Sequence, residues 1–340
     1  MSEVATRSFM TEKQTRATVT VVVVVWNAKA YVVECLSSMR EQCAGAYAEV
    51  IVVDNASTDG TPELIATMFP EFKLIRNAEN LGFAKANNIG IEQSTGDYIC
   101  LVNSDVKFIN DSISMLSTYL HQNPTVAMVG PKMLAANGEI RRSTMRFPTV
   151  WNYFCRALGL DFLFKGSRLF GGLLMSDFDH RSTRHVEVLN GWFVMARRSA
   201  LERVGLLDGR FFMYGEDIDW CYRFSQAGLQ IVFCADAEAI HYGGASSANA
   251  PLRFHLELFR ADWQLWRKHH GWLAQAVFLA VQSIHHAIRI FGAAGNYLLN
   301  PSNRPKTRLK LQKSIAALKL LREMSAKEQT TYLDDAVSTN

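Results

Sequence analysis

The chain has 340 residues, of which 49% are hydrophobic and 20% charged, so it can bury a full core and fits one large domain with appendages better than several small domains. Its formal net charge of +4 is too small to indicate nucleic acid as a partner. The cysteines show no C-x-x-C pair and no zinc-like spacing, which favours reduced core thiols over disulfides; they are Cys35, Cys43, Cys100, Cys155, Cys221 and Cys234.

The chain begins with polar residues of mixed charge, and no apolar stretch starts before Val19. We therefore expect a flexible tail over residues 1–17 that contains no secretory signal. Reduced cysteines fit a reducing compartment, so the protein is expected in the cytoplasm.

Four short apolar runs predict buried β-strands. The clearest is Val19–Val25, a β-branched run that is too short for a useful helix and suits a strand buried on both faces. Because parallel strands need a crossover and a helix is the usual one, alternation with helical stretches predicts parallel β-α-β units. The other strands are predicted at residues 50–53, 73–75 and 98–102, and the helices at residues 29–41, 61–68 and 83–93.

The carboxyl ends of these strands carry mostly polar residues. In open parallel sheets, ligands bind beyond those ends. Asx residues also suit strand-to-helix turns, so any one of them alone has a structural explanation. Several at one edge favour a ligand site; the residues concerned are Trp26, Asn27, Asp54, Asn55, Asn77, Asn103, Ser104 and Asp105.

Residues 141–185 are aromatic-rich and less regular, which predicts a loop-rich insertion. Such an insertion is suited to lining a binding groove. The alternative, that its aromatic side chains form a satellite core, is equally open. The aromatic residues are Trp151, Phe154, Phe162, Phe164 and Phe170, and regular structure is expected again from residue 188.

A long helical stretch is expected from Leu252, and its segment Trp272–Leu299 is strongly apolar. The polar residues of this segment fall within a stripe about 80° wide, which predicts an amphipathic helix. The uncharged run before Arg289 is short of the ~20 residues that a membrane span needs, so a helix lying in the membrane interface is favoured. The polar residues are Gln275, Gln282, His286, Arg289 and Asn296.

Residues 304–322 are basic, contain no acidic residue and are interleaved with leucine and isoleucine. Anionic lipid head groups attract such a segment by about 1 kcal/mol per cation near the surface. Packing against the rest of the chain or against a second subunit, as in a homo-oligomer, is the alternative. The cations are Arg304, Lys306, Arg308, Lys310, Lys313, Lys319 and Arg322, and a flexible tail is expected over residues 326–340.

Two common phosphate-binding motifs, G-x-G-x-x-G after the first strand and G-x-x-x-x-G-K-[ST], are absent from the sequence. Their absence argues against a dinucleotide-dependent dehydrogenase and a P-loop kinase. A divalent cation held by a carboxylate at a strand end is another way to bind a diphosphate. Asp105 is placed for this role, although the tripeptide Asn103-Ser104-Asp105 is a weak signal by itself.

Three acidic residues begin a predicted helix just after Gly215. The helix dipole favours acids in a first turn, which explains any one of them structurally. The same dipole keeps a carboxylate ionised, as a general base must be. The acids are Glu216, Asp217 and Asp219, the last of which is expected to pair with Arg223 four residues on.

Taken in order, these motifs resemble those of glycosyltransferase family 2. Within that family the chain is most similar to bacterial rhamnosyltransferases of O-antigen and cell-wall polysaccharide assembly. The match spans residues 19–246 and is more specific for the family than for the sugar. The motifs are VVVVWN (22–27), VVDNASTDG (52–60), NLGFA (80–84), NSD (103–105), GW (191–192), EDID (216–219) and HYGG (241–244).

The resemblance implies the GT-A fold, an α/β fold with a Rossmann-like, mixed but mostly parallel sheet flanked by helices, here followed by C-terminal amphipathic helices. It implies a catalytic domain over residues 18–250, with a nucleotide-binding half at 18–130 and an acceptor half at 131–250. Residues 251–325 would then form a helical region that associates with a membrane or with a second subunit.

The resemblance also implies roles at the donor site. Asp54 would accept a hydrogen bond from a pyrimidine base, and Asp105 would bind Mg²⁺ or Mn²⁺. The first two positions of the family's D-x-D element are Asn103 and Ser104 here, so the usual acidic contact to ribose becomes neutral and the metal site depends mainly on Asp105. The other donor-binding residues implied are Trp26, Asn27, Asn80, Gly82 and Lys85.

His241 falls where some family members place a further metal ligand. An isolated histidine in an apolar context is more often a core group than a ligand. The Gly243–Gly244 pair and Ser246 that follow raise the ligand interpretation to equal standing.

In the acceptor half, the resemblance places Asp217 as the catalytic base, with Glu216 beside it. Gly191 and Trp192 would contact the acceptor, although Trp192 is equally suited to packing. The implied reaction is inverting transfer from a dTDP- or UDP-sugar, with dTDP-rhamnose favoured. The acceptor would be a glycan or lipid-linked glycan at the inner face of the plasma membrane.

Two other functions compete with this interpretation. A sugar-1-phosphate nucleotidyltransferase shares the sheet and the metal carboxylate, but usually carries a Gly-rich basic stretch after the first strand, which residues 26–31 are not. A non-catalytic subunit that binds nucleotide sugars or glycans would not need the Glu216-Asp217 pair.

Overall fold

The computed structural model describes residues 17–164, 166–243, 251–299, 302 and 304–338. The strands are β1 (Val19–Val25), β2 (Glu49–Asp54), β3 (Lys73–Arg76), β4 (Tyr98–Asn103), β5 (Val106–Phe108), β6 (Val126–Leu134), β7 (Ile140–Arg141), β8 (Thr144–Met145), β9 (Arg184–His185), β10 (Val188–Leu189), β11 (Phe193–Arg197) and β12 (Gln230–His241). The helices are α1 (Val32–Gln42), α2 (Thr61–Met68), α3 (Phe83–Glu92), α4 (Ser112–Gln122), α5 (Val150–Ala157), α6 (Leu160–Leu163), α7 (Arg198–Val204), α8 (Glu216–Gln226), α9 (Pro251–His269), α10 (Trp272–Leu299) and α11 (Arg304–Ser338).

The central sheet has the strand order β3-β2-β1-β4-β11-β6-β12-β5. Strands β3, β2, β1 and β4 are parallel, and the crossovers between them are the predicted helices. Strand β11 runs antiparallel to β4 and β6, while β12 is parallel to β6. The sheet is therefore mixed but mostly parallel, as predicted, and helices flank it.

The core lies on both faces of this sheet. Alternate residues of β1 point to opposite sides: Val21 and Val23 join one buried cluster, and Val22 joins the other. A Cβ added at Gly90 of α3 would lie 2.3 Å from Cγ1 of Val22, so α3 packs directly onto the strand. The continuous valine run thus follows from burial on both faces. All six cysteines are free and buried, as predicted.

The C-terminal helices are tied to the part of the chain that forms the sheet. Asp219 of α8 is fully buried and forms ion pairs with Arg223 on its own helix at 3.0 Å and with Lys268 of α9 at 2.6 Å. Helix α10 packs on α5, where the Tyr153 and Phe278 ring centroids are 5.1 Å apart. The predicted Asp219–Arg223 pair is confirmed, and it also anchors α9.

Helix α10 has the predicted bounds, and its polar stripe is turned partly inward. Gln282 and His286 of that stripe are buried, whereas Trp272 is 72% and Phe291 78% exposed. By length and composition α10 is apolar enough to cross a membrane, and 22% of its most apolar window is buried. Helix α11 packs on α10 and α9 and extends to Ser338, beyond the end predicted near 325. The predicted N-terminal tail lies outside the described residues except for its last position, Ala17.

Candidate active site

Two cavities open side by side at the carboxyl edge of the sheet. The smaller has a volume of about 220 Å³ and the larger about 400 Å³. They share Phe83, Asn103, Met213 and Tyr214 in their walls. Two ligands bound in the two cavities would therefore meet at these residues.

The smaller cavity collects residues from four strand ends and from α9. Most of the predicted donor-site residues line it, together with several that were not predicted. Its walls are formed by Val24, Trp26, Asn27, Ala28, Tyr31, Asn55, Asn80, Gly82, Phe83, Asn103, Ser104, Asp105, Phe212, Met213, Tyr214, His241, Arg253 and Phe254.

Side-chain hydrogen bonds hold the loops around this cavity. Asn27 adopts a positive φ of 48°, which asparagine tolerates, and its Oδ1 accepts a hydrogen bond of 2.8 Å from the Thr58 amide. Asn55 is buried; its Nδ2 donates to Asn80 Oδ1 at 2.9 Å, and its Oδ1 accepts from the Leu81 amide at 3.0 Å. These two asparagines fix the relative positions of the loops after β1, β2 and β3.

Gly82 is required where the loop after β3 meets the loop before α8. Its φ is +83°, and an added Cβ would lie 2.3 Å from the carbonyl oxygen of Phe212. The amide of Phe83 donates to that same carbonyl at 2.7 Å. The glycine thus permits the close contact that forms the shared wall of the two cavities.

Asp105 and His241 face each other in the smaller cavity. His241 Nε2 lies 3.1 Å from Asp105 Oδ1, and the Gly243 amide donates to Asp105 Oδ2 at 3.1 Å. Trp192 stacks on the His241 ring, with centroids 5.2 Å apart. The structure therefore brings together the two residues predicted to bind a metal, whereas Gly244 and Ser246 lie outside the described residues.

The chemistry of this pair fits a divalent cation. A carboxylate oxygen and an imidazole nitrogen are both ligands that Mn²⁺ accepts, and a carboxylate suits Mg²⁺. Beside them the buried Oδ1 of Asn103 has no hydrogen-bond partner among the described residues, which leaves an oxygen free for a ligand. No group of three or more His, Cys, Asp or Glu suited to a metal ion occurs in the described part of the chain. A cation held by these residues would therefore take its remaining ligands from a bound molecule or from water.

Glu216 and Asp217 lie at the start of α8 and line the larger cavity. Asp217 Oδ2 accepts a hydrogen bond of 2.9 Å from the Gly191 amide, and its Oδ1 accepts one of 2.8 Å from the Ile218 amide. A Cβ added at Gly191 would lie 3.2 Å from the Asp217 Cβ, so a glycine allows this close approach. The loop before the helix contains Tyr214 at a φ of 70°, an uncommon conformation for a tyrosine.

Burial affects the two carboxyl groups differently. Burial and the neighbouring charge of Asp217 raise the pKa of Glu216 well above its usual range, and its buried Oε2 has no partner among the described residues. Burial also raises the pKa of Asp217, but the Gly191 and Ile218 amides oppose this effect. The two amide donors therefore favour the negative charge of the pair on Asp217, and burial without such donors favours the proton on Glu216.

The larger cavity lies between α8, the 141–185 segment and the C-terminal helices. The 141–185 segment does line a groove, but through residues other than the aromatic ones considered above. Trp151, Phe162 and Phe164 are exposed instead. The wall residues are Phe83, Asn103, Met145, Pro148, Tyr153, Arg156, Ala157, Leu173, Asn190, Gly191, Trp192, Met213, Tyr214, Gly215, Glu216, Asp217, Ile218, His255, Leu258, Phe259, Asp262, Gln282, His285 and His286.

Three of the residues predicted to contact a ligand are less accessible from the cavities than the others, or lie outside them. Asp54 is buried, and its carboxylate accepts from the Ser57 amide at 3.2 Å; it lines neither cavity, while its neighbour Asn55 does. Lys85 is exposed on α3, outside both cavities. Trp192 is only 4% exposed and stacks on the His241 ring, but it also lines the larger cavity.

Several cavity residues were not predicted from the sequence. Asn55 was predicted at the ligand-binding edge of the sheet, but no donor-binding role was assigned to it. Arg253 of α9 and the histidines His255, His285 and His286 come from helices far along the chain, and no local pattern marks them as part of a site.

The sequence of this chain is similar to those of known glycosyltransferases. A sequence profile described as Glycosyl transferase family 2 matches residues 20–205. An N-acetylglucosaminyl-diphospho-decaprenol L-rhamnosyltransferase of Mycobacterium tuberculosis is 29% identical over 248 residues, which are 66% of this chain and 76% of the relative. A low-salt glycan biosynthesis hexosyltransferase of Haloferax volcanii is 26% identical over 61% of this chain and 63% of its own length.

Solved structures give a similar result for the fold. A mannosyltransferase from Pyrobaculum calidifontis in complex with GDP-Man and Mn²⁺ has a TM-score of 0.53 at 19% identity and covers 90% of this chain and 87% of its own. GalNAc-T7 with UDP, GalNAc and Mn²⁺ has a TM-score of 0.50 at 16% identity over 67% of this chain and 44% of its own. At such identities the likeness concerns the fold alone, and the fold is GT-A.

Proposed function

The chain belongs to glycosyltransferase family 2, and on that premise we propose that it transfers a sugar, with inversion, from a nucleoside diphosphate donor to a hydroxyl of a glycan or lipid-linked glycan. The observation that supports this most is the position of Asp217, a carboxyl group held by two amides in the cavity beside the one that contains Asp105 and His241. Rhamnose from dTDP-rhamnose is the favoured donor, because the Mycobacterium tuberculosis relative is a rhamnosyltransferase.

The smaller cavity would bind the donor. Its parallel-strand edge is where open α/β sheets bind nucleotides, and Trp26 and Tyr31 offer aromatic surface to a base. Asp54 and Lys85 would need to reach the nucleotide from outside the cavity. Asn55 lines the cavity itself, and we therefore assign it to donor binding together with Asn80.

Asp105 and His241 would hold Mg²⁺ or Mn²⁺. When bound, such an ion neutralises charge on the diphosphate that leaves the sugar. Asn103 and Ser104 supply neutral polar groups beside it, where they can contact the ribose or the sugar. The backbone amides of the surrounding loops are further donors to phosphate oxygens.

Asp217 would act as the general base. It takes the proton from the acceptor hydroxyl, whose oxygen attacks the anomeric carbon from the face opposite the diphosphate. The bond between the anomeric carbon and the diphosphate oxygen breaks, and the configuration at that carbon inverts. Glu216, protonated beside it, keeps the charge of the pair on Asp217.

A panel of nucleotide sugars, led by dTDP-rhamnose, tests this function without requiring the acceptor. We expect metal-dependent binding and slow hydrolysis of one donor, with release of the nucleoside diphosphate, in Mg²⁺ or Mn²⁺ and not in EDTA. Release of pyrophosphate from a nucleoside triphosphate and a sugar phosphate would instead indicate a nucleotidyltransferase. Binding without turnover, even with glycan acceptors added, would indicate a non-catalytic subunit.

Arg253 is a cation in the donor cavity that the sequence motifs did not indicate. Its guanidinium lies 5.8 Å from the centre of the Phe212 ring, on the cavity that also contains Asp105. We expect Arg253→Ala to raise the KM for the donor by about 10-fold, since a hydrogen bond to a charged phosphate is worth ~1.5–3 kcal/mol, and to leave kcat within about threefold. Arg260→Ala is the matched control, because Arg260 lies on the same helix and pairs with Glu257 outside both cavities. Equal donor KM values in the two variants would contradict the assignment.

We also propose that the protein works as a peripheral protein at the inner face of the plasma membrane. The apolar face of α10 points away from the protein, and six of the seven cations of α11 are exposed within residues 304–322. These two surfaces together suit an interfacial helix with a basic neighbour.

Neutralising this basic surface should release the protein from anionic vesicles. We expect replacement of Arg304, Lys306, Arg308 and Lys310 by glutamine to weaken co-sedimentation with phosphatidylserine-containing vesicles by about 100-fold or more at low salt, from ~1 kcal/mol per cation. Vesicles of phosphatidylcholine alone serve as the control for charge. The wild-type protein could instead bind to neither kind of vesicle and form a dimer in light scattering that the variant does not form. That result would show that the segment binds a second subunit.

A further inference from the structure

The inner end of the larger cavity is built from polar side chains of the C-terminal helices. His255 on α9 and Gln282 and His286 on α10 line the same cavity as Asp217. His286 is 3% exposed, and its ring centroid lies 6.1 Å from that of His255 and 5.6 Å from that of Phe259. Two residues of the polar stripe of α10, Gln282 and His286, therefore face into the cavity.

The imidazoles at this end have unused hydrogen-bonding atoms. Nε2 of His255 and Nδ1 of both His285 and His286 are buried and have no partner among the described residues. Buried polar atoms in native proteins are nearly always paired, with the protein, with water or with a ligand. Three such atoms belong to residues that line one cavity, which favours a polar ligand or water as their partner.

The electrostatics of the cavity favour an uncharged ligand. Burial lowers the pKa of His255, and burial together with His285 lowers the pKa of His286 to about 4, so both rings are neutral near neutral pH. Burial raises the pKa of Asp262, another wall residue, to about 6, which leaves it mainly ionised there. Among the described wall residues Arg156 is the one permanent cation, and its charge acts on the carboxylate of Asp262. Arg289 and Lys313, whose charges also lower the pKa of His255, are not wall residues, so the wall itself has no excess of positive charge for a phosphate.

A metal ion fits the cluster no better. In the described ranges no group of three His, Cys, Asp or Glu is arranged to hold one. Neutral imidazoles and an amide instead offer both donors and acceptors, the combination that sugar hydroxyls need. Leu258 and Phe259 add apolar wall surface, as is usual where a ligand is mostly buried.

We propose that His255, Gln282 and His286 bind hydroxyl groups of the uncharged acceptor sugar and set the enzyme's choice of acceptor. This proposal rests on the proposed glycosyltransferase function. The sugar would lie between these residues and Asp217, so that α9 and α10 complete the acceptor site that the first half of the chain leaves open. His255, Gln282 and His286 are positioning residues in this scheme, and the chemistry remains with Asp217.

Ligand titration of the full-length, histidine-¹⁵N-labelled protein tests the proposal directly. The probes are the methyl glycosides of N-acetylglucosamine, galactose, mannose and rhamnose, whose short aglycones avoid the apolar face of α10, and inorganic pyrophosphate. We expect at least one glycoside to shift the ring nitrogen resonances of His255 and His286 and to leave the exposed His121 unchanged. Pyrophosphate should not shift His255 or His286. No response to any of the four glycosides, or a response to pyrophosphate at these two rings, would overturn the proposal.

Variants separate binding from folding. His286→Phe and Gln282→Leu should each weaken binding of the responding glycoside by at least about 10-fold, as loss of a buried hydrogen-bonding group predicts, whereas His121→Phe should not. Thermal unfolding checks that each variant is folded, and Gln282→Leu keeps the test valid if His286→Phe is not. Unchanged binding in a folded variant argues against the site. Hydrolysis of the nucleotide-sugar donor, measured in parallel, tests the proposed function independently, because it does not require the acceptor.

Discussion

Asp217→Asn should abolish sugar transfer and leave donor binding nearly intact. The amide of asparagine can still accept from one of the two backbone amides that hold the carboxylate, but it cannot take a proton from the acceptor. General-base catalysis contributes about 10²–10⁴-fold, so kcat should fall by roughly 10³-fold. Donor affinity, measured by calorimetry in Mn²⁺, should change by less than about threefold, since Asp217 lies outside the donor cavity.

Two further variants sharpen this prediction. Glu216→Gln replaces a protonated carboxyl by an amide of nearly the same shape, so transfer should stay within about 10-fold of wild type. Asp236→Asn, at an exposed position of β12, is the matched control for removal of one negative charge. Full activity in Asp217→Asn would refute the base assignment, and a loss in Glu216→Gln alone would move the base to that residue.

The pH dependence of kcat/KM should also identify Asp217 as the base. A base must be ionised, and burial raises the pKa of Asp217, so kcat/KM should fall as the pH drops through that raised value, above the range of an ordinary aspartate. The effect on stability has the opposite sign to that of a salt-bridged aspartate. A buried carboxyl with a raised pKa favours the folded state below the unfolded-state pKa, and this contribution is lost as the pH rises through the folded-state value.

The part of the fold that contains β1 to β4 could be predicted from local patterns, because each of its strands and crossover helices has its own sequence signal. The valine run of β1 is uniform because both faces of the strand are buried, and the helices between strands follow from the parallel arrangement. Asn103 and Asp105 could be placed at the sheet edge by counting from the end of β4. Their partner His241 comes from β12, and only the family resemblance connected it to them.

The region around the larger cavity could not be predicted in the same way. Hydrophobic periodicity showed that α10 has a polar and an apolar face, but it does not say which face meets the protein. The structure buries Gln282 and His286 as well as Phe278, and it exposes Phe291, so polar and apolar side chains of the helix both face the protein. Likewise the aromatic residues of the 141–185 segment were possible groove residues, whereas Tyr153 and Met145 line the cavity instead.

Asp105→Asn should remove metal-dependent donor binding. Asp105 is the one carboxylate among the described wall residues of the donor cavity, so its loss leaves His241 as the only strong ligand candidate there. A bound metal ion contributes several kcal/mol to charge stabilisation, and we expect the donor Kd in Mn²⁺ to rise by about 100-fold and kcat/KM to fall by at least as much.

Donor binding measured in Mn²⁺ and again in EDTA tests this prediction. Wild-type protein should bind the donor much more tightly in Mn²⁺ than in EDTA, whereas Asp105→Asn should bind it about equally weakly in both, because the asparagine is a poor ligand without charge. The variant retains an acceptor for the Gly243 amide, so its thermal stability should be close to that of wild type. His241→Asn should show a smaller loss, since it removes the second ligand and the 3.1 Å partner of Asp105 but keeps the carboxylate. If Asp105→Asn retained the Mn²⁺ response of wild-type protein, the cation would have to bind elsewhere, and the donor diphosphate would then depend on Arg253 and the loop amides at this edge of the sheet.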